Sequence, residues 1–265
     1  MVWRHAPQPS IPDPTRMYPA YNLPRPVILQ LALAVLFRQK RSFGADARLC
    51  LAGLRPPLRV EGREHVPEAG PCLLTVNHYS SPSFKAWWLA LAISAVVPCD
   101  VHWTITAALT YPDWRRAHVL TPASRWLLRR LAQVYDFTAL PAMPPNPAEV
   151  AERAEAVRRV LAWTRQAHRP IIGLAPEGRD TAGGALEWPA PGAGRFIWHL
   201  ARLGLEIVPI GACEAEGVFC LRFGAPYTLD LANVQTPDQR DRRTSEIVMQ
   251  HIAAELPPRL RGVFA

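Results

Sequence analysis

Residues 75–84 read TVNHYSSPSF and place one histidine, His78, directly after Asn77 at the end of an apolar run, CLLTV. An imidazole is neutral for much of the time near pH 7, so it can take a proton from a hydroxyl that comes within hydrogen-bond reach. A second stretch, IIGLAPEGRDT at 171–181, follows another apolar run with Pro176, Glu177, Gly178, Arg179 and Asp180. These loops supply a base, carboxylates that can support its cation, and an arginine suited to an anionic group. Other chemistries find less material. There is no G-x-S-x-G elbow, and the remaining histidines, such as His199 and His251, show no metal-ligand spacing, so no metal is expected. PGAGRF, around Gly192, is read either as a structural turn or as a phosphate-binding helix start, but it lacks G-x-G-x-x-G spacing.

The elements that must carry these loops alternate. Short apolar runs predict strands near 58, 72, 101, 171, 207 and 218, with helices starting near 83, 124, 147, 194 and 242. The helix near 147 has Asn146 as cap, Pro147 at its first position and Glu149 at capping-box spacing. Glu155 and Arg159 can pair on its surface at i, i+4. For the helix near 83, Ser81 is the expected cap, and Trp87-Trp88 is read as core or as the lining of a tunnel for an apolar chain. Strands alternating with helices imply an α/β fold in which ligands bind at the carboxyl ends of strands, where His78 and Glu177 fall.

Three segments together resemble the glycerolipid acyltransferase family, whose members acylate glycerol phosphate and lysophosphatidic acid. They are VEGREHVPEAGPCLLTVNHYSSPSF, IIGLAPEGRDT and APGAGRFIWHLARLGLEIVPIGA, within residues 56–228. The resemblance implies a mixed, mostly parallel sheet flanked by helices, with an N-terminal helical segment that docks on a membrane. It also implies fatty acyl transfer from a thioester, acyl-CoA or acyl carrier protein, to a lipid acceptor, with no further cofactor. His78 would be the base, with Asn77 or backbone groups at the oxyanion. Pro176, Glu177, Gly178 and Arg179 would bind substrate. The family's aspartate, five residues after the histidine, is replaced by Ser83, and neutralising such an orienting aspartate costs about 10⁴ in kcat in a serine protease. Glu177 is the first candidate to supply the missing charge, followed by Asp180 and Asp100; the other reading is a crippled site. Residues 134–147 lack the family's phosphate-binding arginine, and Asp180 stands where another arginine is expected, pointing to an acceptor other than glycerol 3-phosphate. The alternatives are a non-catalytic lipid- or acyl-binding protein on the same fold and a thioester hydrolase.

The whole chain sets the frame. Its 265 residues, 49% hydrophobic and 20% charged, suit one large domain. The expected divisions are a proline-rich arm (1–22), an apolar helical segment (23–55) and the α/β domain (56–265). A net charge of +8 suits an anionic membrane surface better than nucleic acid, because the arginines are scattered rather than clustered. The apolar run Val27–Phe37 is about half of the roughly 20 residues that span a bilayer. It is read as packed under the domain or embedded in one leaflet. Five cysteines without a C-x-x-C pair, and an N-terminal stretch without a signal-peptide core, give the expectation of a cytoplasmic, peripherally attached protein.

Overall fold

The computed structural model describes residues 19–81, 84–109, 114–142, 146–231, 234 and 236–265. Most of the expected arm, together with Pro82 and Ser83, lies outside them. The strands are β1 (Arg59–Glu61), β2 (Cys72–Val76), β3 (His102–Thr106), β4 (Thr138–Leu140), β5 (Ile171–Leu174), β6 (Glu206–Ala215) and β7 (Val218–Phe223). They form one sheet in the order β1-β7-β6-β2-β5-β3-β4. The stretch from β6 through β4 is parallel; β7 returns antiparallel to β6, and β1 runs with β7. This is the mixed, mostly parallel sheet expected, flanked by helices. Continuous burial explains the central strands. Every residue of β2 and β5 is buried, and such strands read as unbroken apolar runs.

The helices are α1 (Arg25–Phe37), α2 (Phe43–Ala52), α3 (Trp87–Val96), α4 (Trp114–Tyr135), α5 (Val150–Gln166), α6 (Ala193–Ala201) and α7 (Pro237–Ala254). The core runs through Leu73, Leu74, Ile171, Ile172, Ile207 and Ile210 on neighbouring strands. Asn146 accepts a hydrogen bond from the Ala148 N–H at 3.0 Å, as its cap position predicts, but the first turn it caps is a 3₁₀ turn that leads into α5. Glu155 lies closer to Arg158 (2.7 Å) than to Arg159 (3.9 Å).

Several boundaries differ from expectation for identifiable reasons. The helix near 83 begins four residues later, at Trp87. Ser81 Oγ accepts from the Phe84 N–H at 3.2 Å instead of capping a helix. Helix α4 starts ten residues before Ser124 and contains Pro122, a residue that reads as a break because it removes a backbone donor. Strand β4 was not expected: three residues are too few to show alternation. Trp88 is core, whereas Trp87 is exposed.

Candidate active site

β2 and β5 are direct neighbours, with Thr75 opposite Leu174, so the loops that leave their carboxyl ends emerge side by side. That pairing brings His78 and the 175–181 loop together. Asn77 fixes the start of the first loop. Its side chain is fully buried; its amide donates to the Ala212 carbonyl (2.9 Å) and accepts from the Ala212 N–H (2.7 Å). One amide N–H and the amide oxygen are thus engaged by β6, so Asn77, expected as an oxyanion donor, ties the loop to the sheet.

Glu177 fixes the second loop to the first. Only 2% exposed, it accepts from the backbone N–H of His78 at 2.8 Å through one oxygen and from that of Glu187 at 3.0 Å through the other. Burial pushes its carboxyl up to about 7, against the pull of the two N–H donors. Glu177 therefore holds the backbone of the histidine rather than its ring. The turn that contains it closes through Gly178 N–H to Ala175 O at 3.1 Å, and Gly178 adopts φ +65°, a left-handed conformation that favours glycine. Pro176 is buried in the same turn.

The carboxylate beside the imidazole belongs to Asp180. Its Oδ1 lies 3.0 Å from His78 Nδ1. Among the described residues buried Nδ1 has no partner in line with its N–H, so the contact with Asp180 acts through charge more than through an aligned hydrogen bond. The His78 side chain is 19% exposed and that of Asp180 67%. Burial lowers the imidazole pKa and the Asp180 charge partly opposes that shift, which leaves a ring that is neutral near pH 7. A negative charge at Nδ1 favours the tautomer with its proton there, leaving Nε2 as the proton acceptor. Of the three candidate carboxylates, Asp180 lies beside the ring and Glu177 on the backbone N–H. Asp100 is elsewhere, bound to Ser42 Oγ (2.8 Å) and Gly44 N–H (3.2 Å) at the start of α2. Ser83 lies outside the described residues.

Arg179 is exposed and pairs with Glu187 at 2.6 Å. Such a pair contributes little by itself and leaves the guanidinium within reach of a competing anion. The start of α6 is closed to phosphate, because Asp241 accepts from the N–H groups of Gly192 and Arg195, both at 2.7 Å. The close approach of α7 that allows this needs Gly194, where a Cβ would come within 2.0 Å of Asp241 O. PGAGRF is therefore a structural turn. Among the described residues no group of three or more His, Cys, Asp or Glu could hold a metal. Neither of two grooves has His78 in its lining: one of about 630 Å³ along α4 and one of about 270 Å³ at the opposite end of β2.

Two residues at the site were missed. Glu187 joins Arg179 to the Glu177 loop. Glu214, buried on β6, accepts from Tyr79 and Ser81, one and three residues after the histidine. The only signal for Glu214 in the sequence is an acidic residue that closes an otherwise apolar run, IVPIGACEA.

No family model matches the chain, and no curated protein matches it. Among solved structures it is similar to the 1-acyl-sn-glycerophosphate (LPA) acyltransferase, PlsC, from Thermotoga maritima. The two are 15% identical, with a TM-score of 0.48, over 86% of this chain and 92% of that one. A likeness of that depth leaves the functional reading to the chemistry of the site.

Proposed function

We propose that this protein is an acyltransferase in which His78 acts as general base and Asp180 supports it. The observation that carries the reading is the 3.0 Å approach of Asp180 to Nδ1 of a largely buried imidazole at the carboxyl end of a central parallel strand. In the proposed reaction Nε2 takes the proton of an acceptor hydroxyl as its oxygen attacks the carbonyl carbon of an acyl thioester. The tetrahedral intermediate collapses with cleavage of the C–S bond, and the imidazolium returns the proton to the leaving thiolate. Asp180 stabilises the imidazolium between these steps. Glu177 keeps His78 in place through its backbone, and Arg179, released from Glu187, binds an anionic group of substrate. The donor is acyl-CoA or an acyl carrier protein. The acceptor is a membrane lipid other than glycerol 3-phosphate, met at a cytoplasmic membrane face to which the protein attaches peripherally.

A second reading, a lipid-binding protein without turnover, draws on the unaligned geometry at Nδ1. One assay separates the two. Wild type and His78→Ala are given long-chain acyl-CoA or acyl carrier protein with a lipid extract, and thiol release is followed together with mass spectrometry of the lipids. Release that requires both acceptor and His78, with an acylated product, is the expected result. Release without an acylated lipid would replace transfer by hydrolysis. Acyl binding without release would favour the second reading.

A further inference from the structure

Glu214 is a buried carboxylate without a cationic partner: no ion pair reaches it among the described residues. Its needs are met by three hydroxyls. Tyr21 donates to Oε1 at 2.8 Å, while Ser81 and Tyr79 donate to Oε2 at 2.8 and 3.2 Å. A buried carboxylate left short of donors would be costly, so these contacts constrain whatever carries them. Two of the three donors stand one and three residues after His78. The phenols of Tyr79 and Tyr21 are held protonated by burial beside this carboxylate, which keeps both as donors.

The histidine loop is therefore gripped at three points. Two residues before Glu214 on the same strand, the Ala212 backbone holds Asn77. Glu177 holds the His78 N–H. Glu214 then holds Tyr79 and Ser81, and the Ser81 hydroxyl also accepts the Phe84 N–H. Tyr21 brings the residues ahead of α1 to the same carboxylate, and its ring packs at 5.1 Å on Phe84 and 5.2 Å on Trp88. Nothing in this network touches the imidazole. It acts on the path of the chain that carries the imidazole.

We propose that Glu214 is a positioning residue for His78, fixing the 78–81 loop through Tyr79 and Ser81 so that the imidazole meets Asp180 on one side and the acceptor on the other. The inference rests on the reading of His78 as the base. It adds a carboxylate that acts through the loop, and it couples the segment around Tyr21 to the site.

Glu214→Gln tests it, because the amide keeps the shape while replacing one acceptor oxygen by a donor group that faces the hydroxyls. Misplacement of a reacting group by about 1 Å costs on the order of 100-fold in rate. The expected result is a fall in kcat of about 10- to 100-fold, with KM changed less than about 3-fold. Ser81→Ala should lower kcat in the same direction, and adding it to Glu214→Gln should cost little more, because the two act through one contact. Glu216→Gln, on the exposed tip of the same hairpin, should leave kcat unchanged. Amide hydrogen exchange of the intact protein gives a readout that does not depend on turnover. In Glu214→Gln, exchange at 78–81 should rise at least about 10-fold while β2 and β5 keep their protection. Uniform loss of protection across the sheet, or unchanged exchange at 78–81, would overturn the proposal. A wild type that transfers no acyl group would sink the acyltransferase reading, and hydrogen exchange would then decide the role of Glu214 on its own.

Discussion

Asp180 and His78 meet at 3.0 Å although the chain between them runs through three strands and three helices. What joins them is the β2–β5 pairing, and what supports them differs in kind. His78 is held by backbone and buried neighbours, whereas Asp180 hangs from an exposed loop. The electrostatic support that Asp180 gives the proposed base is therefore weaker than that of a buried carboxylate. For a buried triad aspartate the loss on neutralisation is about 10⁴ in kcat. With the side chain of Asp180 67% exposed and its charge screened by water, Asp180→Asn is expected to lower kcat by about 10- to 100-fold with little change in KM. Steady-state kinetics of that variant checks it. Wild-type kcat would remove Asp180 from the site.

The pH profile should carry the same signature. Burial lowers the imidazole pKa, so the acid limb of kcat/KM should fall below the ordinary histidine value of about 6.5. The charge of Asp180 raises that pKa, so Asp180→Asn should move the limb to still lower pH. A limb that moves upward in the variant would contradict the pairing.

Glu177 makes a separate prediction about stability. Its folded-state value of about 7, against an ordinary 4.5, means that the folded protein binds this proton more tightly than the unfolded chain does. The resulting stability is complete below about 4.5 and is lost as pH rises through about 7. The shift corresponds to about 3 kcal/mol. In Glu177→Gln the site no longer titrates, and the amide leaves one of the two N–H donors without an acceptor. Wild type should therefore be more stable than the variant at pH 5, with the gap narrowing by about 3 kcal/mol at pH 8. Urea unfolding of both proteins at the two pH values measures it, and a gap that widens with pH would refute the assignment.

Asn77→Ala distinguishes a structural from a catalytic asparagine. It would leave the N–H and C=O of Ala212 without their buried partner, at a cost of about 2–4 kcal/mol. The expected variant is markedly less stable in denaturant titration. Native stability combined with lost turnover would restore Asn77 to the reaction.

How much of this was legible in the sequence depends on whether the signal is local. CLLTV and IIGL are strands because unbroken apolar runs of that length suit a buried parallel sheet, and the loops behind them fall at the site for the same reason. Which carboxylate lies beside the ring was not legible. Glu177 and Asp180 are three residues apart, and only the turn through Gly178 decides that one faces a backbone N–H and the other a ring. Glu214 was hidden for a related reason. Its partners Tyr79 and Ser81 are ordinary loop residues until β6 is laid beside β2.

Helix α1 supplies the last prediction. It is about 20 Å long at 1.5 Å per residue, too short for a bilayer core of about 30 Å, and no helix among the described residues is long and apolar enough to cross a membrane. Val27, Ala34 and Val35 are buried, while Ile28, Leu29, Leu33, Leu36 and Phe37 are exposed; at 100° per residue these five occupy about half of the helix circumference. Both of the readings offered for this segment thus have a face to support them. Of the basic residues that follow, Arg41 is committed to the buried Asp46, while Lys40 forms only an exposed pair with Asp136. Docking on a lipid surface should therefore depend more on the apolar face than on charge. Burying Leu36 and Phe37 in the interface is worth at least about 3 kcal/mol together, so Leu36→Glu/Phe37→Glu should weaken binding to anionic vesicles by about 100-fold or more. Raising salt from 0.1 to 0.5 M should weaken wild-type binding by much less. Vesicle co-sedimentation measures both. Binding that survives the double substitution but is abolished by salt would place the lipid contact on a cationic surface away from α1.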